Sequence, residues 1–330
     1  MNKQDKIYVA GHRGLIGSAI VRNLRARGFE NIVYRSHKQM DLANQDAVRR
    51  FFEREKPDYV FLAAAKVGGI QANYSYPADF IYINTMIQNN VIHEAYRSGT
   101  KRLLFLGSSC IYPKMAKQPL RENYLLTAPL EPTNRAYALA KIAGIETCWS
   151  YNLQYGTQFI GAMPTNLFGP GDNYDLEKSH VIPALLSKFH AGKVKNLKEV
   201  EVWGTGKPRR EFLYSEDAAD ACVHLMNLSN RKIKPLLGSD EHASGEFSPP
   251  LVNVGSGTDV TIKELAKTIA QVVGYQGKIV FNTNRPDGTP QKRLDVNKLK
   301  DLGWSYKISL KEGLQDVYER DIKQIHGNVQ

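Results

Sequence analysis

Short apolar runs alternate with stretches of helical periodicity through the first half of the chain. Ile7-Tyr8-Val9-Ala10 predicts a buried strand, and Leu15 to Leu24 predicts a helix with Leu15, Ile16, Ala19, Ile20 and Leu24 apolar. Ile32-Val33-Tyr34, Tyr59-Val60-Phe61-Leu62, Leu103-Leu104-Phe105-Leu106 and Phe159-Ile160 predict further strands. Helices are expected between them, notably around Asp46–Arg54, Ala78–Arg97 and Ala136–Tyr155. Fully apolar strands separated by helices imply an α/β protein with a doubly wound parallel sheet, covered on both faces. Ligands on such sheets sit beyond the carboxyl ends of the strands, near the point where strand order reverses.

After about Pro164 the pattern loosens. Gly169-Pro170-Gly171 breaks the chain, and later helices (Ser215–Leu228, Thr261–Val273, Leu310–Ile325) are split by loops. Lys232 to Pro250 mixes Pro, Gly, Ser and charges without periodicity and predicts a surface loop. Residues 1–165 are expected to form most of a nucleotide-binding domain. Residues 166–330 are expected to form mainly a smaller, mixed α/β substrate-binding lobe, with some segments packing back onto the first domain.

Composition narrows the classes. The 330 residues are 42% hydrophobic and 23% charged, which excludes a disordered, collagenous or coiled-coil chain. The best membrane candidate, Tyr59 to Ala65, stops at Lys66, far short of a bilayer span. The segment before the first strand lacks a signal peptide's apolar core, so a cytoplasmic protein is expected. Three scattered cysteines, Cys110, Cys148 and Cys222, and eight histidines without paired spacing predict neither a disulfide framework nor a metal site. The net charge of +11 is uneven: residues 1–165 carry 21 basic and 12 acidic side chains, an excess of nine, against 23 and 21, an excess of two, in the rest. That asymmetry suits an anionic ligand; without a basic stripe interleaved with aromatics, nucleic acid is not the expected partner.

Chemistry-bearing residues fall at the strand ends. Gly11-His12-Arg13-Gly14-Leu15-Ile16-Gly17 follows the first strand and opens the first helix. Glycines at this spacing permit a tight turn, close approach to a pyrophosphate and close helix–sheet packing, so a Rossmann-type dinucleotide site is expected. An acid at the end of the second strand would select NAD. Here stand Arg35, Ser36, His37 and Lys38, and with Arg13 in the glycine turn and no competing carboxylate they favour NADP. Asp41-Leu42 would lie by the adenine, or Asp41 would cap the next helix. Tyr137 and Lys141, four residues apart, share one helical face. A phenol near pKa 10 is a poor acid–base group, and a neighbouring ammonium, with the charge of an oxidised nicotinamide, is expected to favour its phenolate. The strand Leu103–Leu106 ends in Gly107-Ser108-Ser109-Cys110, a hydroxyl and a thiol at the sheet's carboxyl edge.

The glycine turn, the strand-end Ser108 and Tyr137-x-x-x-Lys141 resemble the extended short-chain dehydrogenase/reductase family acting on nucleotide sugars. The resemblance continues through Ala63–Ile70, Gly107–Lys114, Met163–Pro170, Ser179–Leu185 and Arg285–Pro290, nearly the whole chain, and departs only at the Lys232–Pro250 loop and the C-terminal tail. It implies a 3,5-epimerase and 4-reductase that uses NADPH to convert GDP-4-keto-6-deoxy-D-mannose into GDP-L-fucose, working as a homodimer. A C4 ketone acidifies the protons at C3 and C5. Epimerisation therefore needs a donor at O4 and two acid–base groups on opposite sides of the ring. The resemblance implies Tyr137 and Ser108 at O4, Lys141 at the ribose and beside Tyr137, and Cys110 with His180 as the acid–base pair. It assigns Pro164, Thr165, Asn166, Leu167 and His180 to the nicotinamide side, and Lys188, Trp203, Arg210 and Asp287 to the nucleotide sugar.

A 4,6-dehydratase would carry a Thr and an acidic pair where Ser108-Ser109-Cys110 stand, and a 4-epimerase would hold NAD, against Arg35. A non-catalytic redox sensor would have lost Tyr137 or Lys141.

Overall fold

The structure, a computed structural model, describes residues 1–175, 179–238, 243, 245, 247–285 and 287–324, with the backbone alone at 70 and 71. Six strands form one parallel sheet: β1 (Ile7–Ala10), β2 (Ile32–Val33), β3 (Tyr59–Leu62), β4 (Arg102–Leu106), β5 (Phe159–Pro164) and β9 (Leu251–Val254), in the order β2-β1-β3-β4-β5-β9. Strand order reverses between β1 and β3, which places the ligand crevice at the carboxyl end of β1. Side chains alternate across the pleat. Ile7 and Val9 bury against α1 (Leu15–Ala26) and α7 (Ser215–Met226), joining Ile20, Leu24, Cys222 and Leu225. Tyr8 and Ala10 bury on the other face with Phe52 of α2 (Gln45–Glu55), Val91 of α4 (Pro77–Arg97) and Ile145 of α5 (Arg135–Tyr155). Burial on both faces is why these strands carry no polar alternation. Each fully buried Phe or Leu contributes about 1.5–3 kcal/mol.

Gly144 sets the height of α5 over the sheet. A Cβ there would overlap the Phe105 ring, so the glycine lets α5 close down on β4. That approach brings Tyr137 and Lys141 over the strand that ends at Ser108 and Cys110.

The chain leaves the large sheet at Pro164 and enters β6 (Asn166–Phe168), which pairs with β8 (Arg209–Tyr214). β8 also pairs antiparallel with β10 (Asp259–Thr261) and parallel with β12 (Gln291–Lys292). A two-stranded sheet of β7 (Glu199–Trp203) and β11 (Lys278–Asn282) lies beyond it. Helices α6 (Val181–Val194) and α9 (Ile262–Val273, with Thr261 and Glu264 in a capping box) close a third core around Phe168, Phe189, Phe212 and Ile269.

One expectation needs correction. The segment read as a surface loop includes α8 (Asn230–Ile233) and a turn at Lys234–Leu236 that bury Ile233 and Leu236 in the first core, and Phe247 packs edge-on against Trp149. Apolar anchors spaced too irregularly for a helical period still suffice to pin a chain. Residues 239–242, 244 and 246 of that segment lie outside the described residues. The last helix follows its expected course: after α10 (Asn297–Asp301), α11 (Leu310–Val317) runs into a π-helical turn, Tyr318–Ile322, and the chain stays helical to residue 324, while Ile325 lies outside the described residues. Among the described residues no helix is long and apolar enough to cross a membrane, and no three His, Cys, Asp or Glu side chains are grouped to hold a metal.

Candidate active site

The glycine turn is a cradle shaped for a pyrophosphate. Gly11 has φ +84°, and a Cβ on it would press on the Ala64 backbone nitrogen at 2.7 Å. At Gly17 a Cβ would overlap the Gly11 carbonyl oxygen. Gly14 donates to that same carbonyl (3.0 Å) and starts α1 with no capping side chain, which leaves the first-turn N–H groups of Leu15, Ile16 and Gly17 free for an anion. The residues therefore fit a dinucleotide. His12 stacks on Tyr34 at 4.3 Å, and Arg13 is exposed beside it.

Arg35 stands where the second strand ends, yet it is not unopposed. Its guanidinium donates to Glu55 Oε1 (2.8 Å) and to the Tyr34 carbonyl (2.8 Å), and lies over the Phe51 ring. The expectation of no competing carboxylate is corrected: α2 folds back over the strand and carries Glu55, twenty residues downstream, into reach. Asp41 does not cap α2; Asn44 does, accepting from Ala47 N–H (3.0 Å). Asp41 instead accepts from Ala43 N–H (2.9 Å) in an exposed turn, with Leu42 half-buried.

At the carboxyl end of β4 the structure brings Ser108, Cys110, Tyr137 and Lys141 together. Lys141 is 3% exposed, donates to the Leu106 carbonyl (2.8 Å) and lies over the Phe105 ring (4.7 Å). Burial lowers its pKa to about 8. Burial raises the Tyr137 phenol above its ordinary value, and the nearby Cys110 adds to that. The ammonium sits 5.8 Å from the Tyr137 ring centre and is tied to a backbone carbonyl, so desolvation of the phenol prevails. The neutral phenol is a proton donor. Burial likewise raises the Cys110 thiol, opposed by the ammonium of Lys292, a hydrogen bond from Ser108 and the charge of Lys141, in that order.

His180 is exposed at the N-cap of α6, on the side of Asp172. No hydrogen bond among the described residues joins it to Cys110 or Tyr137. Of the segment assigned to the nicotinamide side, Pro164 and Leu167 are half-buried. Thr165 Oγ1 (3.2 Å) and Asn166 Nδ2 (2.8 Å) donate to the Glu211 carbonyl and so lock the passage between sheets.

On the nucleotide-sugar side Trp203 is 54% exposed, with Lys188 Nζ 5.2 Å and Arg285 4.8 Å from its ring centre. Burial lowers the Lys188 pKa. Arg210 is half-buried and faces Asp287, whose carboxylate accepts from Thr205 N–H and Thr205 Oγ1 (both 2.7 Å) and so braces the Gly204–Gly206 turn. Pro286 lies outside the described residues. Sequence reasoning missed Arg285, Lys292 and Glu211. Arg285 lay in a quoted segment without a role; Lys292 and Glu211 become visible only through strand pairing.

A parallel sheet with a phosphate cradle at its reversal point, and a Tyr and a Lys buried over the next strand end, is the architecture of a nucleotide-dependent oxidoreductase. The model of the NAD dependent epimerase/dehydratase family matches residues 7–235, and the chain belongs to that family. Its cofactor class is accordingly a nicotinamide dinucleotide. The chain is 54% identical over 324 residues to GDP-L-fucose synthase 1 of Arabidopsis thaliana, covering 98% of this chain and 95% of that one. It is 52% identical over 323 residues to the GDP-L-fucose synthase of Escherichia coli (strain K12), covering 97% of each. Among solved structures, MlghC, a GDP-mannoheptose C4 reductase from Campylobacter jejuni with NADP bound, matches with a TM-score of 0.86 and 42% identity over 97% of this chain and 99% of that one.

Proposed function

We propose that the protein converts GDP-4-keto-6-deoxy-D-mannose into GDP-L-fucose by 3,5-epimerisation and NADPH-dependent 4-reduction. The observation that carries this reading is the meeting of a buried thiol, a half-buried phenol and a buried ammonium at one strand end, Cys110, Tyr137 and Lys141, beside the Ser108 hydroxyl. Reduction alone needs no thiol; inversion at carbon needs a base of that kind.

Residues 1–165 hold mainly the cofactor and 166–330 mainly the nucleotide sugar. Gly11, Gly14 and Gly17 cradle the pyrophosphate, with His12, Leu15 and Ile16 closing the turn, and Asp41-Leu42 flank the adenine. Arg13 and Arg35 face the 2′-phosphate of NADPH, Arg35 by sharing its fork with Glu55. Arg210 takes the diphosphate of the sugar nucleotide, while Trp203, between Lys188 and Arg285, takes a flat ring. Asp287 positions their turn.

In the first reaction the Cys110 thiolate removes the proton at C3 or C5. The C–H electron pair moves to O4, where Tyr137 and Ser108 donate hydrogen bonds, and His180 returns a proton from the opposite face. The cofactor, when bound, supplies the hydride to C4. Tyr137, which burial keeps protonated, delivers the proton to O4. Lys141 anchors to the Leu106 carbonyl and orients the ribose.

The exposed Tyr76, Ile81 and Tyr82 of the α4 region and Leu139, Leu153 and Tyr155 of α5 support a homodimer, and three buried free thiols suit the cytoplasm. The likeness to a GDP-mannoheptose C4 reductase favours one second reading, reduction without epimerisation. Incubation with NADPH and GDP-4-keto-6-deoxymannose, with the product identified by NMR, separates them: GDP-L-fucose supports the first, an unepimerised 6-deoxy sugar the second.

A further inference from the structure

Glu211 of β8 is fully buried, and among the described residues no cation pairs with it. Its carboxylate is held instead by donors from two separate segments. Gly257 N–H, just past the end of β9 in the large sheet, donates to Oε1 (2.7 Å). Leu294 N–H, just past β12, donates to Oε2 (2.7 Å), and Ser256 Oγ adds a longer bond to Oε1 (3.4 Å). The chain keeps room for this carboxylate, since a Cβ on Gly255 would overlap Oε1. The main-chain carbonyl of Glu211 meanwhile accepts from Thr165 Oγ1 (3.2 Å) and Asn166 Nδ2 (2.8 Å). One residue thus meets the edge of the large sheet, the passage into the lobe and the end of β12.

Burying a carboxylate without a counter-cation is costly. What offsets the cost here is a pair of charge-assisted bonds whose geometry fixes one strand against two others. Side chains alternate along β8. Arg210 stands on the face of Phe212 and Tyr214, which enter the third core, and Glu211 on the face of Leu213, which enters the first. Among the described residues Arg210 donates only to the carbonyl of its neighbour Arg209 (2.9 Å), so the position of the strand decides where its guanidinium lies. We propose that Glu211 is a positioning residue for Arg210: its carboxylate pins β8 to the ends of β9 and β12, and so sets where the guanidinium meets a nucleoside diphosphate. The cofactor sheet thereby registers the binding strand of the substrate lobe. This rests on Arg210 taking the diphosphate of the sugar nucleotide.

The test is calorimetric titration of the NADP-loaded protein with GDP, beside a separate titration of the free protein with NADP. Glu211→Gln keeps the shape and one acceptor oxygen but turns an amide NH₂ toward the other N–H. It should weaken GDP by about tenfold while NADP binds as in the parental protein. Gly255→Ala, whose methyl group would displace the carboxylate, should give the same split. Arg210→Met should weaken GDP by itself, and adding Glu211→Gln to it should cost little more, because the first residue acts through the second. Parental GDP affinity in Glu211→Gln, equal losses for GDP and NADP, or full additivity with Arg210→Met would each overturn the proposal and leave Glu211 a structural acid. A Glu211→Gln protein that fails to fold leaves Gly255→Ala and Glu211→Asp to give the same comparison. A parental protein that binds no GDP would remove the diphosphate reading of Arg210 and the proposal with it, a failure distinct from an unchanged affinity in the variant.

Discussion

The two halves of the candidate site are built on opposite plans. The cofactor half consists of backbone geometry and exposed cations: Gly11 and Gly17 fix a turn, and Arg13 stands in solvent. The catalytic half consists of buried and half-buried side chains whose protonation desolvation has moved, Lys141 down to about 8 and Tyr137 upward. A pyrophosphate brings its own charge, so its cradle needs only free N–H groups and space. Proton transfer to and from carbon brings no such help. The protein must prepare the acid and the base beforehand, and that preparation costs stability.

The largest break in that contrast comes from Tyr137→Phe. The enolate and the developing alkoxide share this donor, so both deuterium exchange and NADPH oxidation should fall about 10²–10³-fold in kcat. Loss of one reaction alone would mean that the two oxyanions lie in different places. Next in size is cofactor choice. Arg35→Ala should weaken NADPH by about tenfold or more relative to NADH, since a charge-assisted bond contributes about 1.5–3 kcal/mol. Glu55→Gln should act in the opposite direction by freeing the Arg35 fork. Comparing kcat/KM for the two nucleotides in each variant tests both, and equal ratios throughout would leave Arg35 a partner of Glu55 only.

A smaller effect concerns stability. The folded pKa of Lys141 lies below its unfolded value of 10.5, so the folded state disfavours the charged form. The cost is full below about pH 8 and disappears as pH rises from there to above 10.5, because the unfolded state then binds more protons. Lys141→Met should therefore stabilise the cofactor-free protein at pH 7 by about 2 kcal/mol, after allowing for the lost Leu106 hydrogen bond. Denaturation at pH 7 and pH 10.5 checks this, and a gain that does not shrink with pH would contradict it. The smallest departure concerns assembly. Sedimentation at micromolar concentration should show a species near twice 37.1 kDa, and Tyr82→Lys with Ile81→Glu should shift it toward the monomer.

Much of this was legible in the residues because the informative signals are local. β1, β3 and β4 read as strands since both faces are buried, and the glycine turn sits where a strand–helix junction demands it. Tyr137 and Lys141 needed only one helical face. What was not legible depends on distance along the chain. Glu55 reaches Arg35 through the packing of α2, and Lys292 enters the site through pairing of a two-residue strand that no periodicity can announce. The burial of Ile233 and Leu236 rests on two anchors in a stretch of turn residues. Charge spacing along a helix likewise says nothing of how far burial desolvates the Tyr137 phenol.

The most direct measurement follows NADPH consumption and deuterium uptake at C3 and C5 together in heavy water, comparing the parental protein with Cys110→Ser. The parental protein should yield fucose carrying deuterium at both carbons. Cys110→Ser should still consume NADPH slowly while exchange stalls, giving an unepimerised or partly epimerised 6-deoxy sugar. Exchange at the parental rate in Cys110→Ser would show that Cys110 is a buried core thiol and that epimerisation, if it occurs, uses another base.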